Sequence, residues 1–179
     1  MTVVRVIGCG NPDAGDDAAG IVAVERARGE LESIPGVDVR PRAAPFDVVH
    51  LVAGVEAIVV VDAIRTPGAG RPSGSIVRAV AGPDGLPAEI YSSLSSHGFG
   101  VLEAFGVARA VGPVPRFVVV GVEAEETAAG RPMSEAVRAA LPDLTEAIVR
   151  EARGLASQAE GAATDGSSDP APGDEPEAR

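Results

Sequence analysis

The sequence predicts an α/β fold, a three-layer αβα sandwich of about five strands. Short apolar runs rich in β-branched residues alternate with stretches of helical periodicity, an order typical of a sheet covered by helices. Two of the runs, AIVVVDA and RFVVVGVE, are continuously apolar, as expected for central strands buried on both faces. The length of 179 residues suits one domain. The predicted strands are 3–8, 37–41, 58–62, 75–80 and 117–122.

Three longer helices are predicted between and after these strands. Residues 17–34 and 98–111 each place apolar side chains on one side at helical spacing. Ser134 is the predicted N-cap of a last helix that ends near residue 154, and Pro142 is expected to kink or split it. A shorter helix is predicted around residues 47–54.

Composition bounds the class of partner and the extent of the folded domain. The net charge is −11, which disfavours nucleic acid and anionic membranes as partners. The single Cys9 excludes an intramolecular disulfide, and with no signal peptide or membrane-spanning run we expect a cytoplasmic monomer. Residues 1–156 are predicted to be the folded domain. Residues 157–179 hold no aliphatic side chain larger than Ala, and we expect a disordered acidic tail.

The segment IGCGNPDAGDDAAG, residues 7–20, follows the first strand with a glycine turn and two adjacent acids. It is not a dinucleotide fingerprint, since Asp13 stands where the third glycine belongs, and the chain has no Lys for a P-loop. Acids at this turn would repel a phosphate. Asp16 and Asp17 therefore either cap the following helix or contribute to a cation site.

Two further residues extend the cation hypothesis. Asp62 ends the strand-like run VVVD, at the sheet edge where ligands bind in open α/β folds. His97 opens a helical pattern after the serine-rich stretch SSLSS. Each could instead be a simple cap or an ordinary surface residue, and His50, in an apolar context, is interpreted as structural. Together an acid of the Asp16-Asp17 pair, Asp62 and His97 form a mixed oxygen and nitrogen set suited to Zn²⁺, Ni²⁺ or Mn²⁺.

The ordered set of motifs from about residue 3 to 151 resembles the hydrogenase maturation proteases. The resemblance rests on the Gly8-Cys9-Gly10-Asn11 turn, the Asp16-Asp17 pair with Gly20, VVVDAI, the His97-to-Gly100 stretch HGFG, VVVGVEAE and RPMSEAVRAALPDL. It implies a mostly parallel twisted sheet and an endopeptidase. Its client would be the nickel-iron hydrogenase large-subunit precursor, whose C-terminal extension is cut after nickel insertion.

The same resemblance implies that Asp17, Asp62 and His97 are the catalytic, metal-contacting residues and that the nickel is carried by the substrate. Metal-assisted peptide hydrolysis is the expected reaction. Asp16 is interpreted as a solvated cap, with ligand orientation or proton transfer as the alternative. Residues 40–47, RPRAAPFD, lack the glycine-rich turn of many family members, which leaves the client open.

Three alternatives remain at this stage. A non-catalytic, metal-recognising assembly chaperone would keep the same three residues. A peptidyl-tRNA hydrolase has a similar opening motif but needs a histidine soon after it, and Ala18-Ala19-Gly20 supplies none. A Cys-His hydrolase would use Cys9 with His97.

Overall fold

The computed structural model describes residues 3–43, 47–65, 70–81 and 101–165. Within them one five-stranded sheet has the order β2-β1-β3-β5-β4. The strands are β1 (Val4–Gly8), β2 (Val37–Arg40), β3 (Ala57–Ile64), β4 (Ile76–Val80) and β5 (Arg116–Glu123). The helices are α1 (Ala19–Glu32), α2 (Val48–Leu51), α3 (Val101–Val111) and α4 (Glu135–Asp165), and a 3-10 turn at Gly15–Ala18 precedes α1.

The four strands β2, β1, β3 and β5 run parallel, and β4 pairs antiparallel with β5 at the edge. Helices α1 and α4 cover one face of the sheet, and α2 and α3 pack against the other. The two continuous apolar runs are the central strands β3 and β5, whose side chains are buried on both faces. The predicted three-layer fold with a mostly parallel sheet is confirmed.

The last helix departs from its predicted length. Ser134 is its N-cap, with the Ser134 hydroxyl accepting the Val137 N–H at 3.3 Å. The predicted end near residue 154 is wrong, because α4 continues to Asp165 and into the first part of the predicted tail. Leu155 and Ala156 are buried in the core beside α1, so this segment has apolar surface to cover. The helix also runs through Pro142 without a break.

The parallel topology gathers the carboxyl ends of β1, β2, β3 and β5 at one edge of the sheet. Gly8, Arg40 and Glu123 close their strands there, and β3 extends two residues beyond Asp62, the predicted strand end. Among the described helices, none is both apolar and long enough to cross a lipid bilayer.

Candidate functional site

The turn after β1 requires glycine for close backbone approach. Gly10 has φ +122°, and a Cβ atom there would overlap the Asp17 carbonyl oxygen. A Cβ atom on Gly8 would stand 2.5 Å from the Pro41 carbonyl oxygen and 2.9 Å from that of Gly20. The glycines therefore bring the end of β1, the start of α1 and the segment after β2 against one another.

Asp17 lies on the 3-10 turn that leads into α1 and is half-buried. Its Oδ2 atom accepts the Asn11 backbone N–H at 2.8 Å, and its own N–H donates to the Ala14 carbonyl at 3.0 Å. Asn11 in turn accepts the Asp13 N–H through Oδ1 at 3.0 Å. The carboxylate of Asp17 is thus held by the turn that precedes it.

Asp62 is 8 % exposed near the carboxyl end of the central strand β3. Its Oδ1 accepts the Ala63 N–H at 2.9 Å. Burial, and to a lesser degree the charge of Asp17, raise the pKa of Asp62 to about 8. A Cβ atom on Gly10 would stand 3.7 Å from Asp62 Oδ1 as well as overlapping the Asp17 carbonyl oxygen, so Gly10 packs against both residues. Asp62 lies close enough to Asp17 for the charge of Asp17 to act on its carboxyl group.

His97, the third predicted ligand, lies outside the described residues. Within the part of the chain that is described, no three His, Cys, Asp or Glu side chains are grouped closely enough to hold a metal ion. The predicted three-residue set therefore stays a prediction; of its two described members, Asp17 acts electrostatically on Asp62. His50, interpreted as structural, is exposed on α2.

Cys9 is fully buried, and it lies close to Asp17 and Asp62. Its thiol pKa is raised well above the ordinary value by burial and by the charges of Asp62, Asp47 and Asp17. A catalytic cysteine needs a lowered pKa, so this environment argues against the Cys-His hydrolase alternative. Cys9 acts here as a small apolar residue of the core.

The environment of Cys9 also reveals an acid that the sequence reasoning missed. Asp47, exposed just before α2, is close enough to Cys9 to influence the thiol electrostatically. The segment after β2 reaches the site because the Ala43 N–H donates to the Gly8 carbonyl at 3.0 Å. The sequence gives no direct signal for this, because Asp47 reaches the site through the pairing of β2 with β1, which is a property of the fold.

Asp16 is the neighbour of Asp17 but does not share its surroundings. Its side chain is fully buried, and its carboxylate accepts the backbone N–H groups of Glu125, Glu126 and Ser134 at 2.8, 2.9 and 2.7 Å. The prediction of a solvated cap is wrong. Residues 11–18, which carry Asp16 and Asp17, are called the acid turn below. Asp16 joins this turn to the connection between β5 and α4, where Ser134 begins the helix.

Three comparisons relate the chain to known proteins. The family model of the HycI-type hydrogenase maturation protease matches residues 43–151. The solved structure of the hydrogenase maturating endopeptidase HybD from E. coli has a TM-score of 0.68 at 21% identity, covering 86% of this chain and 93% of HybD. The [NiFe] hydrogenase maturation protease HycI from Thermococcus kodakarensis has a TM-score of 0.63 at 26% identity, with the same coverages. No curated protein matches the chain significantly in sequence.

Proposed function

The chain belongs to the hydrogenase maturation protease family, and from that membership we propose that Asp17, Asp62 and His97 act together on a nickel-loaded hydrogenase large-subunit precursor. Members of the family are endopeptidases that cleave the C-terminal extension of this subunit, and the chain is an endopeptidase of this kind. The proposal adds the role of the metal and of the three residues.

The observation that carries the proposal is that Asp17 and Asp62 both pack against Gly10 and that the charge of Asp17 acts on Asp62. Two neighbouring carboxylates repel each other, and this repulsion adds to burial in raising the pKa of Asp62. A divalent cation between them would remove the repulsion and favour both charged forms. The donor chemistry fits nickel, which accepts carboxylate oxygen and imidazole nitrogen.

His97 is proposed as the third member from the resemblance and from its place in the sequence. It precedes the first residue of α3, Val101, by four positions. Phe105 of α3 packs on the face of the sheet that also receives Ile58 and Val60. Asp62 belongs to this face, since side chains alternate along β3. The packing of α3 on the face that carries Asp62 supports the choice of His97, which precedes this helix in the sequence, as the third member.

The nickel ion belongs to the precursor, where as a Lewis acid it would polarise the scissile carbonyl. The contribution of the chain is to recognise that ion and to fix the cleaved bond beside it. Because Asp62 is buried, its ionised form is costly until a cation is present. In this scheme Asp62 loses its proton when a nickel-loaded precursor binds, and it stays protonated when the precursor carries no nickel. In this scheme nickel signals that the precursor is complete.

Incubation of the protein with nickel-loaded and nickel-free precursor, followed by mass spectrometry of the intact products, tests the proposal. The loaded precursor alone should lose its extension. The variants Asp62→Ala and His97→Ala should abolish cleavage, whereas Asp13→Asn, which alters an exposed acid of the same turn, should leave it intact. Stable binding of the precursor without cleavage would identify an assembly chaperone, and full cleavage by Asp62→Ala would refute the site.

A further inference from the structure

Asp16 is a fully buried acid, next in the chain to Asp17, that the proposed reaction does not use. In the described residues its carboxylate partners are three backbone N–H groups, all from the segment 125–134. Two backbone hydrogen bonds strengthen the same junction: the Asp16 N–H donates to the Glu126 carbonyl and the Gly130 N–H to the Asp13 carbonyl, both at 2.7 Å. The acid turn is therefore held to this connection by both side-chain and backbone hydrogen bonds.

A fully buried carboxylate is costly unless donors replace its water. Here the donors are N–H groups, one of which belongs to Ser134 at the N-terminus of α4, where the helix dipole favours an anion. An asparagine could not satisfy this arrangement, since its NH₂ group would face a backbone N–H. The contacts select a carboxylate at position 16 for reasons unrelated to a metal ion.

The consequence falls on the adjacent Asp17. Its carboxylate is held at 2.8 Å by the Asn11 N–H, and the turn that carries both residues cannot shift without moving this contact. We propose, on the premise of the proposed function, that Asp16 is a positioning residue: it fixes Asp17 opposite Asp62 by anchoring the acid turn to the connection between β5 and α4. It contacts neither substrate nor metal.

The test compares Asp16→Asn with two control variants in single-turnover cleavage of nickel-loaded precursor. Ser134→Ala removes the N-cap hydroxyl of α4 and lowers stability, but keeps the N–H that donates to Asp16. Asp13→Asn removes a charge from the same turn at an exposed side chain. Rates are compared at equal folded fraction, measured by circular dichroism.

A misplacement of about 1 Å costs on the order of 100-fold in rate, so Asp16→Asn should lower the cleavage rate about 10- to 100-fold with little change in precursor KM. Both controls should cleave at the wild-type rate. Asp16→Glu keeps the charge but adds a methylene, and should also be slow. If Asp16→Asn does not fold, then Asp16→Glu replaces it in the comparison.

A second readout needs no precursor and no nickel. Because the Asn11 N–H donates to Asp17, its hydrogen exchange reports the placement of that carboxylate. Exchange at Asn11 should accelerate in the Asp16 variants and remain unchanged in Ser134→Ala and Asp13→Asn. The inference would be overturned if the Asp16 variants kept wild-type protection at Asn11. It would also be overturned if their cleavage rate fell no more than that of Ser134→Ala. Failure of the wild-type protein to cleave would instead refute the proposed function, and Asn11 exchange would still decide the role of Asp16.

Discussion

Gly20 and Gly29 lie on the same helix, α1, and should respond to alanine in opposite directions. A Cβ atom on Gly20 would stand 2.5 Å from the Cys9 carbonyl oxygen and closer still to that of Val61, whereas one on Gly29 has no atom within 4 Å. At Gly20, α1 rests directly on the backbones of β1 and β3. This contact brings the acid turn to the edge of the sheet where Asp62 lies.

The two substitutions share the gain in helix propensity, about 1 kcal/mol for Gly to Ala. For Gly20→Ala the helix must move away by roughly 1 Å, because neither carbonyl oxygen can rotate aside, and overpacking of this kind costs about 1–3 kcal/mol. Taking the upper end, Gly20→Ala should lower the free energy of unfolding by about 2 kcal/mol. Gly29→Ala should raise it by about 0.5–1 kcal/mol.

Urea unfolding followed by far-ultraviolet circular dichroism measures both changes without the need for a tryptophan, which the chain lacks. A difference of about 3 kcal/mol corresponds to melting temperatures about 6–12 °C apart for a chain of this size. Equal stability of the two variants would refute the close approach of α1 to the sheet. It would also remove the reason why Gly20 belongs to the opening motif.

Three further predictions concern charge and packing. Because the folded pKa of Asp62 is about 8, far above that of an unfolded aspartate, the folded state binds the extra proton. Stability should therefore fall as pH rises from about 4 to 8, and urea unfolding of Asp62→Asn should lack this decline. A chain that ends after residue 154 loses buried Leu155 and should be about 2–5 kcal/mol less stable than one that ends after Asp165. Phe117→Ala, which removes a ring 4.5 Å from that of Phe105, should cost about 3–5 kcal/mol in the same assay.

The sheet could be predicted because its signal is local. The runs of Val and Ile in β3 and β5 indicate strands buried on both faces, and the structure places both at the centre. The end of α4 could not be predicted in this way. Between residues 155 and 165 the only apolar residues are Leu155 and several alanines, and Leu155 and Ala156 are buried in the core cluster that also holds α1. Propensity gives no sign of a partner helix more than one hundred residues earlier.

The acid pair shows the same limit at the site. Asp16 and Asp17 are identical residues in adjacent positions, so no local pattern distinguishes them. They differ because the 3-10 turn directs one side chain toward residues 125–134 and the other toward Asn11 and Asp62. The first accepts hydrogen bonds from backbone N–H groups that follow it by more than one hundred residues, and the charge of the second acts on the carboxyl group of Asp62. If the proposed roles hold, Asp16 anchors the turn and Asp17 meets the cation, and tertiary contacts alone assign these roles to two identical neighbours.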